Sequence, residues 1–186
     1  MRIVCAKALL IALCCGLSAP TLARERETPE LAKAAEWEKA ALHREWAASI
    51  ADEEAQTALE RAAILRRQAY TEEDERQAYY RRAGHLEKKA GDMLVRALSN
   101  LDAAETAWRN AAREYRRTSE QEKELRALSA AVHVQRRALD ICGRVARAYE
   151  RAADAFEPEN GADSREALAN RERAALWRQR VAERMP

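Results

Sequence analysis

The stretch LRALSAAVHVQRRALDICGRVARAYERAADAF, residues 125–156, decides the fold. One row of it follows alternating spacings of three and four residues, and we call this row the main seam: Leu125, Leu128, Val132, Gln135, Leu139, Cys142, Ala146, Tyr149, Ala153 and Phe156. Only Gln135 is plainly polar. The heptad spacing predicts a helix that buries this row along its length, and Leu139, in the middle, is an expected core residue.

A second apolar row runs beside the main seam and consists of Val134, Ala138, Ile141, Val145, Ala148 and Ala152. At about 100° per residue, the two rows lie roughly a quarter to a third of a turn apart. A helix with two adjacent apolar rows needs two neighbouring helices to cover them. The stretch is therefore predicted to be one helix of an antiparallel bundle.

The composition favours the same class of fold. Charged residues make up 34% of the 186 residues and aromatic residues 5%, with only 5 glycines and 4 prolines. A chain of this kind, rich in alanine, glutamate, arginine and leucine, is typical of coiled coils and long-helix bundles. Because the net charge is only +2, we expect no general attraction to nucleic acid and no nucleic-acid partner.

Capping residues and breaks predict helices at about 29–70, 72–117, 119–156 and 164–184. The expected caps are Thr28, Thr71, Ser119 and either Asp163 or Ser164, and the expected loop is Pro158 to Gly161. Gly84 and Gly91 lie inside the second helix, where they either allow close packing or mark a kink or the true turn between the first two helices. The predicted fold is all-α: an elongated, coiled-coil-like antiparallel three-helix bundle with a shorter fourth C-terminal helix.

Alanines recur at intervals of seven in the first helix, at Ala34, Ala41, Ala48, Ala55, Ala62 and Ala69. Alanine in such a row allows two helices to approach closely. Larger residues beside it are expected to supply the buried area: Trp37, Leu42, Trp46, Ile50, Leu59, Ile64, Leu65 and Tyr70.

Residues 1–23 are predicted to be a secretory signal peptide. Arg2 and Lys7 precede the apolar run ALLIALCCGL, and small residues before Arg24 suit cleavage after Ala23, with Ala19 as the second choice. The alternative is an uncleaved membrane anchor, which the short apolar run disfavours. Residues 24–186 then form a single helical-bundle domain whose one cysteine is Cys142. We favour a buried thiol there over an intermolecular disulfide, because free cysteine is commonly buried.

The sequence predicts no catalytic, cofactor-binding or metal site. The histidines, His43, His85 and His133, have no glutamate three residues before them and have basic neighbours within a turn, so we expect surface residues. Phosphate-binding loops, Cys-x-x-Cys pairs and nucleophile elbows are missing from the sequence.

The fourth helix, 164–184, has two interpretations. Its six arginines against three glutamates, with Leu168, Leu176, Trp177 and Val181, give a basic amphipathic helix that could contact a membrane surface or a partner. We favour a bundle helix whose arginines cover its polar side, because the apolar stripe is narrow.

The chain resembles the exported, alanine-rich helical-bundle surface proteins of trypanosomes, namely the TolT proteins and the glutamate/alanine-rich coat proteins. The resemblance is carried by Leu13-Cys14-Cys15-Gly16-Leu17, by the alanine heptads and by the long helices. It implies a cell-surface location, often through a C-terminal lipid anchor. The last residues, Arg-Val-Ala-Glu-Arg-Met-Pro, depart from that pattern because they form no apolar tail.

These patterns predict an exported, non-enzymatic protein, secreted or at the cell surface, that presents a rod-like surface to a partner protein of a host or envelope. The alternative is a periplasmic or envelope coiled-coil adaptor that self-associates. The sequence identifies neither the partner nor the binding face.

Expression of the full chain in a secreting host tests the signal peptide. The exported product is expected to begin at Arg24 by N-terminal sequencing, and Ala23→Arg is expected to block this cleavage because the residue before the cut must be small. Cleavage after Ala19 would select the second predicted site, whereas an uncleaved product, or retention of the chain inside the cell, would contradict the signal peptide.

Overall fold

Four antiparallel helices make up the described part of the chain. The computed structural model describes residues 28–160 and 164–184, without the side chains of residues 158–160. The helices are α1 (Pro29–Thr71), α2 (Arg76–Arg117), α3 (Gln121–Asn160) and α4 (Arg165–Arg184). The all-α bundle is therefore confirmed, while the predicted signal peptide 1–23 and the Asp163 cap lie outside the described residues.

Alanine forms the whole buried row of α1. All six alanines at intervals of seven are fully buried, as predicted. The expectation for their larger neighbours is wrong at five positions, where the side chains are exposed: Leu42, Trp46, Ile50, Ile64 and Tyr70. Closely packed alanines bring two helix backbones to the lower end of the usual range of about 8–10 Å, and residues to either side of the row then point past the interface.

α2 is the central helix of the bundle. α1 packs along one side of it and α3 along another, whereas α1 and α3 scarcely approach each other. Long polar side chains span the gap between those two helices. Arg144 forms an ion pair with Asp52 at 2.7 Å, and Arg137 donates a hydrogen bond to Ser49 at 2.9 Å.

One arginine connects three helices. Arg66 of α1 donates to both carboxylate oxygens of Glu87 in α2 at 2.9 Å, and to the backbone oxygen of Arg151 in α3 at 2.7 Å. Burial lowers the pKa of Arg66, but the bonds to Glu87 outweigh it and the net pKa is raised. Glu87 is 3% exposed, so loss of Arg66 would leave a buried carboxylate without its partner.

The first turn differs from the prediction. Thr71 is the last residue of α1, and its hydroxyl donates back to the carbonyl oxygen of Gln68 at 3.1 Å. The predicted cap at Thr71 is therefore wrong. The acidic residues 72–75 form the turn instead of the first turn of a helix, and α2 begins at Arg76.

The second turn contains a left-handed residue. Ser119 has φ 61°, Glu120 N–H donates to the carbonyl of Tyr115 at 3.0 Å, and Ser119 N–H donates to that of Arg116 at 3.2 Å. This pair of bonds is a Schellman motif, which closes the C-terminus of α2. Ser119 thus ends α2 and is not the cap of α3, which begins at Gln121.

Two other caps are confirmed, and one helix end is not. Leu31 N–H donates to the Thr28 hydroxyl at 3.3 Å, and Ala167 N–H to the Ser164 hydroxyl at 3.2 Å. α3 continues to Asn160, so the predicted end at residue 156 and most of the predicted loop at 158–161 are wrong. Gly161 lies outside the described residues.

Gly84 and Gly91 serve close packing, one of the predicted alternatives, and mark neither a kink nor the turn between α1 and α2. A Cβ at Gly84 would lie 3.1 Å from Cβ of Ala155, and one at Gly91 would lie 2.9 Å from Cε1 of Tyr149. Both sites are therefore filled by α3, and α2 is one continuous helix from Arg76 to Arg117.

Gly91→Ala is expected to lower the free energy of unfolding by about 1–3 kcal/mol, because the new methyl group overlaps the Tyr149 ring. Gly143→Ala is the matched control. Its Cβ would meet only the end of Arg147 at 3.5 Å, so alanine is expected to raise the free energy of unfolding by about 1 kcal/mol. Urea unfolding followed by circular dichroism measures both, and equal effects would contradict the packing.

Candidate functional site

α4 covers only half of the main seam. Its buried residues Ala167, Asn170, Ala174 and Trp177 pack on α3. The five seam residues beneath it are at most 4% exposed, and we call them the covered half: Cys142, Ala146, Tyr149, Ala153 and Phe156. The two neighbours of α3 are α2 and α4: α2 packs on the second row and also contacts Tyr149 and Phe156 through Gly91 and Gly84, while α4 covers the same half of the main seam from the other side. The interpretation of 164–184 as a bundle helix is confirmed by this packing.

The rest of the main seam carries no helix in the described structure. Leu125 is 59% exposed and Val132 45%, Gln135 is exposed, and Leu128 and Leu139 are half-buried. We call these five residues the open half. Burial of the whole main seam is thus a wrong prediction for this half, and Leu139 is not a full core residue. The second row, by contrast, is at most 2% exposed throughout, so it supplies the packing against α2.

Ion pairs fix how α4 lies against the covered half. Arg171 pairs with Glu157 and Arg178 with Glu150, both on α3. At the end of α4, Arg184 donates to both carboxylate oxygens of Asp102 in α2 at 3.0 and 2.9 Å. Hydrogen bonding to Asp102 raises the pKa of Arg184. In this half, then, α2 and α3 present carboxylates to a basic helix.

Cys142 lies where α4 ends. Its side chain is fully buried, and burial raises the pKa of its thiol. The predicted buried thiol is confirmed. A thiol with no exposed surface cannot reach a second chain while α4 is in place, so the folded state does not offer it for an intermolecular disulfide.

Arginines replace the carboxylates beside the open half. Arg109, Arg113 and Arg116 of α2, together with Ala112 and Leu128, line a cavity of about 190 Å³ between α2 and α3. Leu128 belongs to the open half, so the cavity adjoins the exposed part of the main seam, and we treat the cavity and the open half as one surface. We call it the open groove.

The three arginines of the open groove differ in their partners. Arg109 donates to Glu105 at 2.9 Å on its own helix, and Arg116 bonds across to Glu124 of α3 at 2.7 Å. Arg113 is exposed and has no hydrogen-bond or ion-pair partner among the described residues. The middle arginine is therefore available to an anion that enters the groove.

A second cleft of about 600 Å³ lies between α2 and α4. Its polar groups bond to one another: Lys88 contacts Asp92 at 2.7 Å, and the Tyr149 hydroxyl donates to the other oxygen of Asp92 at 2.7 Å. Burial opposes ionisation of Asp92, but these two bonds outweigh it and lower its pKa. Arg173 lies 5.6 Å above the Tyr149 ring. This network holds α4 to α2 and α3, so we assign it a structural role.

The predicted surface histidines are confirmed, since His43, His85 and His133 are all exposed. His43 contacts Trp46 at a ring distance of 6.1 Å, and His85 meets Phe156 edge-on at 5.2 Å. Across residues 28–160 and 164–184, no group of three or more His, Cys, Asp or Glu side chains could hold a metal ion.

Sequence reasoning missed the open groove. The main seam itself was visible in the heptad spacing, but not the point at which α4 stops covering it. The available signal was length: α4 has 20 residues and α3 has 40, so one can cover only half of the other. The arginine row at 109, 113 and 116 also has helical spacing, which places all three residues on one face of α2.

Comparison with protein-family models, curated proteins and solved structures found no match. Within the two described ranges, none of the helices is both long and apolar enough to cross a bilayer.

Proposed function

We propose that the chain is an exported, non-enzymatic helical bundle that binds a helix of a partner protein, from a host or an envelope, in the open groove. The observation that carries this proposal is the change from buried to exposed along a single seam. The five seam residues of the covered half are buried between α2 and α4, while Leu125 and Val132 on the same row of the same helix are 59% and 45% exposed.

The covered half supports a helix as the occupant. The main seam already accepts one helix, because α4 packs on it through small residues and Trp177. Heptad spacing continues without interruption from the covered half into the open half, so a second helix can pack in line with α4 by the same geometry. An extended peptide is a poorer match, since α3 offers no unpaired backbone edge.

The length of the open half sets the size of the interface. From Leu125 to Leu139 there are about 14 residues, or about 21 Å at a rise of 1.5 Å each. This length matches four turns of a partner helix.

Export and the absence of enzymatic activity belong to this proposal. Export is supported by the N-terminal pattern of residues 1–23. A binding role is supported by the lining of the open groove, which is apolar and arginine-rich. Leu125 and Val132 are the kind of exposed apolar residues that mark interaction surfaces when they share one face.

Val132→Glu is expected to abolish retention of the partner while leaving helix content and melting temperature unchanged, because Val132 is exposed and its loss removes only the docking contact. Leu168→Glu on α4 is the matched control, since Leu168 is 44% exposed against 45% for Val132. Both are used, beside the unmodified chain, as baits for surface-exposed proteins. A partner retained equally by both variants would exclude the open groove as its site.

Self-association is the second candidate, and one further surface favours it. Leu42, Trp46 and Ile50 form an exposed stripe on α1, and Trp46 is 63% exposed. Tryptophan is frequent at the centre of protein interfaces. Analytical ultracentrifugation at micromolar concentration decides this point. A dimer that Trp46→Glu converts to a monomer would identify this stripe as a self-association surface, and a strict monomer would exclude the adaptor.

A further inference from the structure

We infer that the partner helix is acidic along the side that faces α2. This inference rests on the proposed function and adds the chemistry of the occupant. The α2 side of the open groove carries Arg109, Arg113 and Arg116. Glu105 and Glu124 pair with the first and the last of them, which leaves the charge of Arg113 unmatched.

The groove reverses its charge where α4 ends. Asp102 is the last α2 residue to pair with α4, through Arg184. Arg109, Arg113 and Arg116 follow on this face about two, three and four turns further along α2, and Glu105, about one turn after Asp102, is bound to Arg109. Since exposed charges interact most with a partner directly opposite, a helix in line with α4 needs carboxylates where α4 carries arginines.

Arg113 is the residue that distinguishes occupants. It lies between two arginines that already have carboxylate partners at Glu105 and Glu124. The long, unpaired guanidinium of Arg113 can form a bidentate pair with a carboxylate from above the groove. A lysine or arginine in the same position would be repelled.

The same charge pattern argues against α4 of a second copy as the occupant. α4 carries six arginines and three glutamates between residues 165 and 184. Laid in the open groove, it would bring like charges together along the α2 side. A separate protein with an acidic amphipathic helix fits better.

The remaining features specify the occupant further. Its apolar row packs on Leu125, Leu128, Val132 and Leu139, and its length is about 14 residues. Gln135, in the middle of the open half, is the polar position of the seam, and an amide or hydroxyl opposite it would fix the register, as buried polar pairs do in coiled coils. Specificity then comes from one polar position and one charged side.

Two synthetic helical peptides test the inference by fluorescence anisotropy against the full chain. They share one leucine row and differ only in the flanking residues, which are glutamate in one and lysine in the other. We expect the glutamate peptide to bind about fivefold more tightly at low salt, with the difference shrinking as salt is added, because exposed ion pairs are weak and screened.

Arg113→Glu is expected to remove or reverse this preference. Arg82→Glu is the control: it makes the same change of net charge on an exposed residue of α2 outside the groove, and should leave the preference intact. Val132→Glu should abolish binding of both peptides, with Leu168→Glu as its control.

Each outcome bears on a separate statement. If both peptides bind equally, or the lysine peptide binds more tightly, and binding still depends on Val132, the inference of an acidic partner is wrong and the proposed function stands. No binding that depends on Val132 overturns both. A dimer of the chain that Val132→Glu dissociates shows that a second copy fills the groove, which also overturns the acidic partner.

Discussion

Two helices have to pack on α2 at once, and this requirement governs the rest of the bundle. Small side chains on a helix that is flanked on two sides allow both neighbours to approach it closely, and α2 buries larger ones only at Glu87, Leu94, Leu98, Leu101, Glu114 and Tyr115 among its described residues. The buried positions of α2 are accordingly mostly alanine or glycine: Ala83, Gly84, Ala90, Gly91, Ala97, Ala104, Ala107, Ala111 and Ala112. At Gly91 there is no room even for a methyl group, because a Cβ there would lie 2.9 Å from Cε1 of Tyr149 in α3. α1 meets this helix with a row of alanines of its own.

This close packing also explains why arginine is so prominent between helices. α1 and α3 both approach α2 but scarcely touch each other, and only a long side chain can bridge the gap between them. Arg66 does so most completely, because its planar guanidinium satisfies both oxygens of Glu87 and a backbone carbonyl of α3 together. The apolar contacts thus bring the helices together, while arginines set how they are placed around α2.

The fold could be predicted from the sequence because it follows from local spacing. Residues close together in the sequence were enough to predict the alanine heptads of α1, the two apolar rows of α3 and the caps at Thr28 and Ser164. The errors occurred where the outcome depends on distant parts of the chain. Thr71 and Ser119 are residue types that are common at helix N-caps, yet both lie at the C-terminal end of the preceding helix. Threonine and serine are compatible with either end of a turn between two helices. The spacing of the main seam does not indicate which helix covers it. The position of α4 in the structure is needed to see that half of the seam stays uncovered.

Cys142 turns the junction between the two halves into a natural reporter. Its thiol is sealed by the last turns of α4 and lies at the point where the covering helix stops. A thiol reagent can reach it only when the helices around it separate, so the rate of chemical labelling measures how often the bundle opens at this junction. A helix bound in the open groove would contact the last turns of α4 and slow this labelling. The labelling rate of Cys142 would therefore report whether the open groove is occupied.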